Sequence, residues 1–155
     1  MEKIPFTPAG LEKIKTELVT LKGPERHEVI RAIADEREHG DLSENAEYHA
    51  ARERQSFIEG RITELEDVTS RSEVVDLSRL TGQIVTFGTK VVVADEVTDE
   101  EATYVIVGPY EADIERGRIS TASPIARALI GKSEGYSVEV PVSYTHLTLP
   151  TILLV

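Results

Sequence analysis

Two apolar seams, each stepping by three and four residues, fill the first half of this 155-residue chain and restrict its fold more than any other feature. Leu11, Ile14, Leu18 and Leu21 make the first, and Thr7-Pro8 opens it as an N-cap followed by proline at the first helical position. Gly23-Pro24 interrupts the pattern, which resumes out of phase at Ile30, Ile33 and the stem of Arg37; a kink or a change of packing face is expected there. His39-Gly40 supplies a stop. A second helix is predicted from about Leu42, with Tyr48, Ala51, Gln55, Ile58, Ile62 and Leu65 as its seam. The two arms can zip into an antiparallel coiled coil, ~35 to 40 Å long at ~1.5 Å rise per residue, with its tip at residues 39–45. Aromatic residues are only 5% of the chain and Trp is absent, which suits a rod better than a bulky core.

From about Leu77 the period changes. Gln83 to Phe87, Thr89 to Glu96 and Thr103 to Val107 are short and β-branched, bounded by Gly82, Gly88, the acidic turn Thr98 to Glu101, and Gly108-Pro109. They read as antiparallel strands. Ser123-Pro124, Ile125 to Ile130 and Gly131 spell a short helix with N-cap, first-turn proline and glycine stop, and a strand is expected near Tyr136 to Val140. The fold class is therefore α+β: a helical hairpin over 1–76 and a small sheet domain over 77–155, joined through Ser70 to Arg79.

The formal net charge of -11, shared by both halves, argues against a protein that grips duplex DNA by neutralising phosphates. Cysteine is absent, which excludes disulfides, thiolate chemistry and Cys-ligated metal sites. The start MEKIPFTPAG has no basic segment followed by an apolar one, and no run approaches the ~20 apolar residues of a membrane span, so a cytoplasmic protein with no membrane partner is expected. The four histidines, His27, His39, His49 and His146, show no paired metal-ligand spacing.

The tip concentrates the chemistry. Asp41 and Glu44 put two carboxylates three residues apart at the exposed end of the rod. One reading is structural: Asp41 as N-cap of the second helix and Glu44 at its third position form an Asp variant of the capping box. The other is that both acids face a hard cation. Mg²⁺ takes oxygen ligands and often only one or two protein carboxylates, with phosphate oxygens completing its shell. Spacing alone leaves both readings open.

The run Glu36-Arg37-Glu38-His39-Gly40-Asp41-Leu42-Ser43-Glu44-Asn45-Ala46-Glu47-Tyr48-His49-Ala50-Ala51-Arg52-Glu53 closely resembles the tip of the bacterial transcript cleavage factors of the GreA/GreB family. Ile4-Pro5 with Thr7, the Gly82 to Gly88 segment with Val85 and Phe87, and Ser123 to Lys132 also look like that family, so the resemblance spans residues 1 to about 140. A shaft without a strongly basic face favours its GreA branch.

The resemblance implies an FKBP-like C-terminal domain that docks on bacterial RNA polymerase while the coiled coil enters the secondary channel. Asp41 and Glu44 would then help hold an Mg²⁺ shared with the polymerase, no metal being tightly bound by the chain alone, and the polymerase would cleave backtracked nascent RNA with its own active site. The chain is thus expected to be a catalytic accessory and a monomer. Arg37 and Arg52 match tip positions that contact the RNA, against the plainer reading that they pair with Glu38 or Glu53. Ser123 and Pro124 match the family's polymerase-docking loop. Prolyl isomerase activity is not expected, because fold alone does not grant it and the aromatics are too sparse for a proline pocket. A channel regulator without cleavage, or a plain coiled-coil adaptor, are the alternatives. Residues 141–155 depart from the family's ending, and we expect a foreign tail there in place of the native closing strand. Its apolar end would be exposed unless it takes that strand's place in the sheet.

Overall fold

The computed structural model describes residues 2–40, 42–80, 82–140 and 145–154. Two compact units emerge, one of Met1–Glu2 with Leu11–Ser72, the other of Lys3–Gly10 with Glu73–Val155. The sheet unit therefore takes in the N-terminal strand and the start of the first helix, which the sequence pattern assigns to the hairpin.

In the hairpin unit, α1 (Pro8–Thr20) runs through a π-helical turn, Leu21–Glu25, directly into α2 (Arg26–Arg37), and α3 (Ala46–Ser70) returns alongside. The helix does not break at Gly23-Pro24. Thr20, Glu25 and Arg26 all keep right-handed helical angles, and the Arg26 amide donates back to Leu21 and Gly23. A wider turn accommodates the missing Pro24 amide hydrogen without ending the helix. It also shifts the buried face. Val29 and Ile33 are buried, whereas Ile30, expected on the seam, is 48% exposed, and Arg37 is exposed as well. Ile58, Ile62, Leu65 and Val68 complete the core from α3.

Ion pairs line the seam and fix its register. Lys22 meets Glu66 at 2.7 Å, Arg26 forks onto Glu59 at 2.8 and 2.9 Å, Arg61 meets Glu17 at 2.9 Å, and Arg54 reaches Glu28 at 3.3 Å. All are solvent-facing, so they add little; the buried apolar residues carry the stability.

The second unit is built on a five-stranded sheet of order β5-β4-β3-β7-β6: β3 (Thr89–Asp95), β4 (Glu101–Val107), β5 (Arg118–Ser120), β6 (Ser137–Val140) and β7 (Thr145–Leu154). A separate pair joins β1 (Ile4–Phe6) to β2 (Ser72–Val74). The five-stranded sheet is antiparallel except at one edge, where β5 runs parallel to β4, Val105 facing Arg118 and Val107 facing Ser120. A 3-10 turn at Ile114–Arg116, closed by Gly117 at φ +73°, returns the chain in the parallel sense. Gln83 to Phe87, expected as a strand, contributes only an isolated bridge between Ile84 and Ser133. Thr89 explains why: its hydroxyl donates to the Thr86 carbonyl at 2.7 Å and accepts from the Thr86 amide at 3.2 Å, turning the chain before a ladder can form.

The core of this unit collects Val85, Val91, Val93, Ile106, Ile119 and Val138 with Ala126 and Leu129 from α4 (Pro124–Leu129). Val91 and Val93 alternate with exposed or half-buried neighbours along β3, the period of a strand with one buried face. The acidic turn after β3 is organised by Asp95, whose Oδ1 accepts from the amides of Val97 at 2.8 Å and Thr98 at 3.1 Å. Residues 145–154 take a place in the sheet, between β3 and β6, pairing antiparallel with both. The β3/β7 register shifts between Val92 and Ala94, whose partners are Thr151 and Thr148. Pro150 lies in that gap; it has no amide hydrogen for the ladder, so the irregularity sits where proline requires it.

Glu111 ties the start of α1 into the sheet unit. It is 8% exposed and accepts from the Thr7 amide at 2.6 Å and the Thr7 hydroxyl at 2.9 Å, while the same hydroxyl accepts from the Gly10 amide at 3.1 Å. A Cβ on Gly10 would fall on the Glu111 carboxyl group. Gly→Ala in a helix ordinarily stabilises by roughly 0.5–1 kcal/mol. Here Gly10→Ala is expected to destabilise by about 1–3 kcal/mol, since the carboxylate can move aside only by releasing Thr7. A denaturant titration of the intact chain checks it; an unchanged or raised midpoint would show that the Glu111 contacts with Thr7 do not hold the start of α1.

Candidate functional site

The tip lies between the end of α2 at Arg37 and the start of α3 at Ala46. The chain leaves α2 through amide donations from Glu38 to the Asp35 carbonyl and from His39 to the Glu36 carbonyl, then turns at Gly40, where φ is +95°. That left-handed angle favours glycine. Asp41, first of the two carboxylates singled out in the sequence, lies outside the described residues. The chain turns again before α3, with the Asn45 amide donating to the Leu42 carbonyl at 3.2 Å.

The cap of α3 is Asn45. Its Oδ1 accepts from the Tyr48 amide at 3.0 Å, and the helix starts at Ala46 rather than near Leu42. The capping box expected from Asp41 and Glu44 is thereby corrected: Glu44 precedes the cap and cannot occupy the third helical position. Its side chain is exposed and has no hydrogen-bond or ion-pair partner among the described residues. With Asn45 as the cap, the structural explanation for an acid at position 44 falls away.

Arg37 ends α2 and Arg52 lies in the second turn of α3, both exposed. Neither forms an ion pair among the described residues, so the expected plain pairing with Glu38 or Glu53 is not made. Arg54, two positions on, is engaged with Glu28 at 3.3 Å. Among the described residues, two cations without ion pairs flank a loop carrying an acid without one.

Sequence reasoning missed a pair that shapes this loop. Glu36 Oε2 accepts from Asn45 Nδ2 at 2.8 Å and lies 3.1 Å from His39 Nδ1. The Asn45 amide holds the Glu36 carboxyl below the usual carboxylate range, partial burial opposes this, and the neighbouring Glu47 and then His39 add to the lowering. His49 Nε2 sits 3.1 Å from the Ser43 carbonyl. An asparagine just before Ala46-Glu47 is a strong cap signal, and weighing it against Asp41 was the available clue.

The donor chemistry limits what the tip can hold alone. Among the described residues no cluster of three or more His, Asp or Glu converges on a metal position. An exposed carboxylate is a hard oxygen donor of the kind Mg²⁺ accepts, but a stable site needs further ligands from elsewhere.

In the sheet unit, Ser123 caps α4, its hydroxyl accepting from the Ala126 amide at 3.3 Å, and Pro124 opens the helix with its ring exposed. Gly131 follows at φ +88°. The local structure is the one the residues spell, and it presents Pro124 to solvent at the corner between β5 and α4.

Two family models match the chain: the N-terminal region of transcription elongation factors over residues 4–74, and the GreA/GreB C-terminal region over residues 80–151. The chain is 65% identical to transcription elongation factor GreA of Rhodospirillum rubrum over 140 residues, covering 90% of this chain and 89% of that protein. Identity to GreA of Brucella anthropi is 59% and to GreA of Brucella canis 60%, over the same shares of each. Among solved structures, GreA factor homolog 1 of Thermus thermophilus aligns over 97% of this chain and 99% of its own, with 25% identity and a TM-score of 0.46. By both family models and these identities, the chain belongs to the GreA/GreB family of transcription elongation factors.

Proposed function

We propose that this elongation factor binds bacterial RNA polymerase, extends its hairpin into the secondary channel, and stimulates the polymerase active site to hydrolyse backtracked nascent RNA, so releasing arrested complexes. The observation that carries this reading is the exposed Glu44 ahead of the Asn45 cap, between arms bearing Arg37 and Arg52, none of the three having an ion-pair partner among the described residues. A coiled-coil adaptor has no use for that combination.

In this scheme the hairpin delivers and the tip completes. Asp41 and Glu44 supply carboxylate oxygens to a site whose remaining ligands are polymerase carboxylates and RNA phosphate. An Mg²⁺ ion held jointly there would supply a water of lowered pKa and stabilise the leaving oxygen. Arg37 and Arg52 bind the phosphates of the displaced RNA 3′ segment and hold its register, a contact that carries no sequence information. Ser123 and Pro124 form part of the docking corner. The chain is an accessory in this scheme: it acts as a single copy in the cytoplasm, binds no metal tightly and cleaves no RNA alone.

The test uses polymerase complexes halted in a backtracked position with end-labelled RNA and Mg²⁺. Adding the full chain is expected to speed RNA shortening by at least ~10² over the complex alone. Binding without acceleration would replace this reading with a channel regulator, and shortening of free RNA by the chain without polymerase would sink the accessory role.

A further inference from the structure

The tip is braced from behind by groups that none of the proposed chemistry uses. Glu36 sits on the last turn of α2 with its side chain 14% exposed, and its Oε2 accepts from Asn45 Nδ2 at 2.8 Å. The other end of the same amide accepts from the Tyr48 amide at 3.0 Å. One small side chain thus spans the tip, a donor toward α2 and an acceptor toward α3. Its orientation is fixed by its partners, because a flipped amide would turn its oxygen to a carboxylate and its NH₂ to an N–H. His39 Nδ1 shares Glu36 Oε2 at 3.1 Å, and His49 Nε2 stands 3.1 Å from the Ser43 carbonyl, so the loop is held on both sides of Glu44.

We propose that Glu36 and Asn45 are positioning residues: their cross-link joins the last turn of α2 to the cap of α3, so that Glu44, the residue next to that cap, is presented in one place. An exposed loop between two helix ends has many conformations of similar energy, and a carboxylate that must complete a site on another molecule loses rate in proportion to the time it spends elsewhere. The bond sits next to the acid it steadies. This proposal rests on the cleavage reading given above, and it adds a requirement that reading does not contain.

Asn45→Asp separates the brace from the cap. Aspartate caps a helix as well as asparagine does, yet it turns an acceptor toward the Glu36 carboxylate in place of a donor. The rate of RNA shortening at saturating Asn45→Asp factor is expected to fall ~10-fold or more, with the half-saturating concentration within ~2-fold of wild type because the docking corner is untouched. Adding Glu36→Gln restores a cross-link of reversed polarity and the original net charge. The double variant is expected to recover to within ~3-fold of the wild-type rate. A merely structural role would move the thermal midpoint or the half-saturation and would not be rescued by the swap. The proposal is overturned by a wild-type rate in Asn45→Asp at saturation, or by a double variant no faster than the single one. A wild-type factor that fails to accelerate shortening at all removes the cleavage reading and this one together, an outcome distinct from the other two.

Discussion

Glu44→Ala is expected to abolish most of the factor's stimulation, lowering the rate of RNA shortening at saturating factor on the order of 10²-fold, while leaving its binding to polymerase and its own stability unchanged. The size follows from the proposed role: a carboxylate that completes a hard-cation shell is a negative charge and a ligand at once, and alanine offers neither. The silence in stability follows from the cap. Asn45 holds the Tyr48 amide, and Glu44 precedes the helix, exposed and unpartnered among the described residues. Substitution at such a position moves stability by no more than about 0.5 kcal/mol. Had Glu44 closed a capping box, the same change would have cost roughly 0.5–2 kcal/mol and shown in the thermal melt. One variant therefore tests both readings of the acidic pair, by melt and by cleavage rate. Asp41→Ala is expected to match it in rate, and the double variant to be little worse than either, because groups completing one site act as a unit. Retained cleavage in Glu44→Ala, with normal binding, would end the proposal that this carboxylate serves the reaction.

The contrast between the two readings shows how far the residues speak for themselves. The hairpin was legible because its seams are long and strictly periodic, and so was α4, whose Ser123, Pro124 and Gly131 each do the job their chemistry predicts. The change of phase after Gly23-Pro24 was expected and Ile33 is buried; what was missed is Val29, buried in place of the exposed Ile30. Continuing the three-four rhythm past Leu21 places the next seam positions at 25, 28 and 32, yet the buried residues are Val29 and Ile33. The difference is the one extra residue of the π turn at Leu21–Glu25, worth ~100° of rotation; Gly23-Pro24 signals the shift, but its size needs the turn itself. The cap failed for a related reason. Asp41 and Asn45 are both good N-caps, and choosing between them requires knowing how the loop closes, which Glu36 decides by receiving the Asn45 amide. At Gln83 to Phe87, β-branched composition was overruled by a threonine, Thr89, that satisfied the backbone of Thr86 locally. Residues 145–154 show the converse. They were expected to depart from the family's pattern, yet they fill a strand position and the C-terminal family model runs through residue 151, since backbone pairing asks only for an extended chain with amides to give.

That strand gives the largest stability effect. Deleting residues 145–155 is expected to leave the second unit unfolded. Among the described residues β7 is the one strand beside β6 in the sheet order, so Val138, a member of the core at 7% exposure, loses the strand that holds it in place. β3 loses the pairing that runs from Thr89 opposite Leu154 to Asp95 opposite Leu147. At a net ~0.5–1.5 kcal/mol for each ladder hydrogen bond, losses on both flanks of a central strand reach the ~5–15 kcal/mol that a domain has in total. The hairpin keeps its own core of Ile14, Leu21, Val29, Ile33, Ile58, Ile62 and Leu65, none of which depends on the sheet ladder. The truncated chain should therefore keep its helical far-UV signal while the amide resonances of residues 83–140 collapse toward random-coil values. It should also fail to stimulate cleavage with the tip intact, because Ser123 and Pro124 would no longer be presented. Pro150→Ala supplies the internal contrast: the register already shifts between Val92 and Ala94, so restoring one amide hydrogen there is expected to change stability by less than about 1 kcal/mol. Preserved amide dispersion in the truncated chain would mean that β3 and β6 hold without β7, and the sheet order would then not be what keeps Ser123 and Pro124 in place.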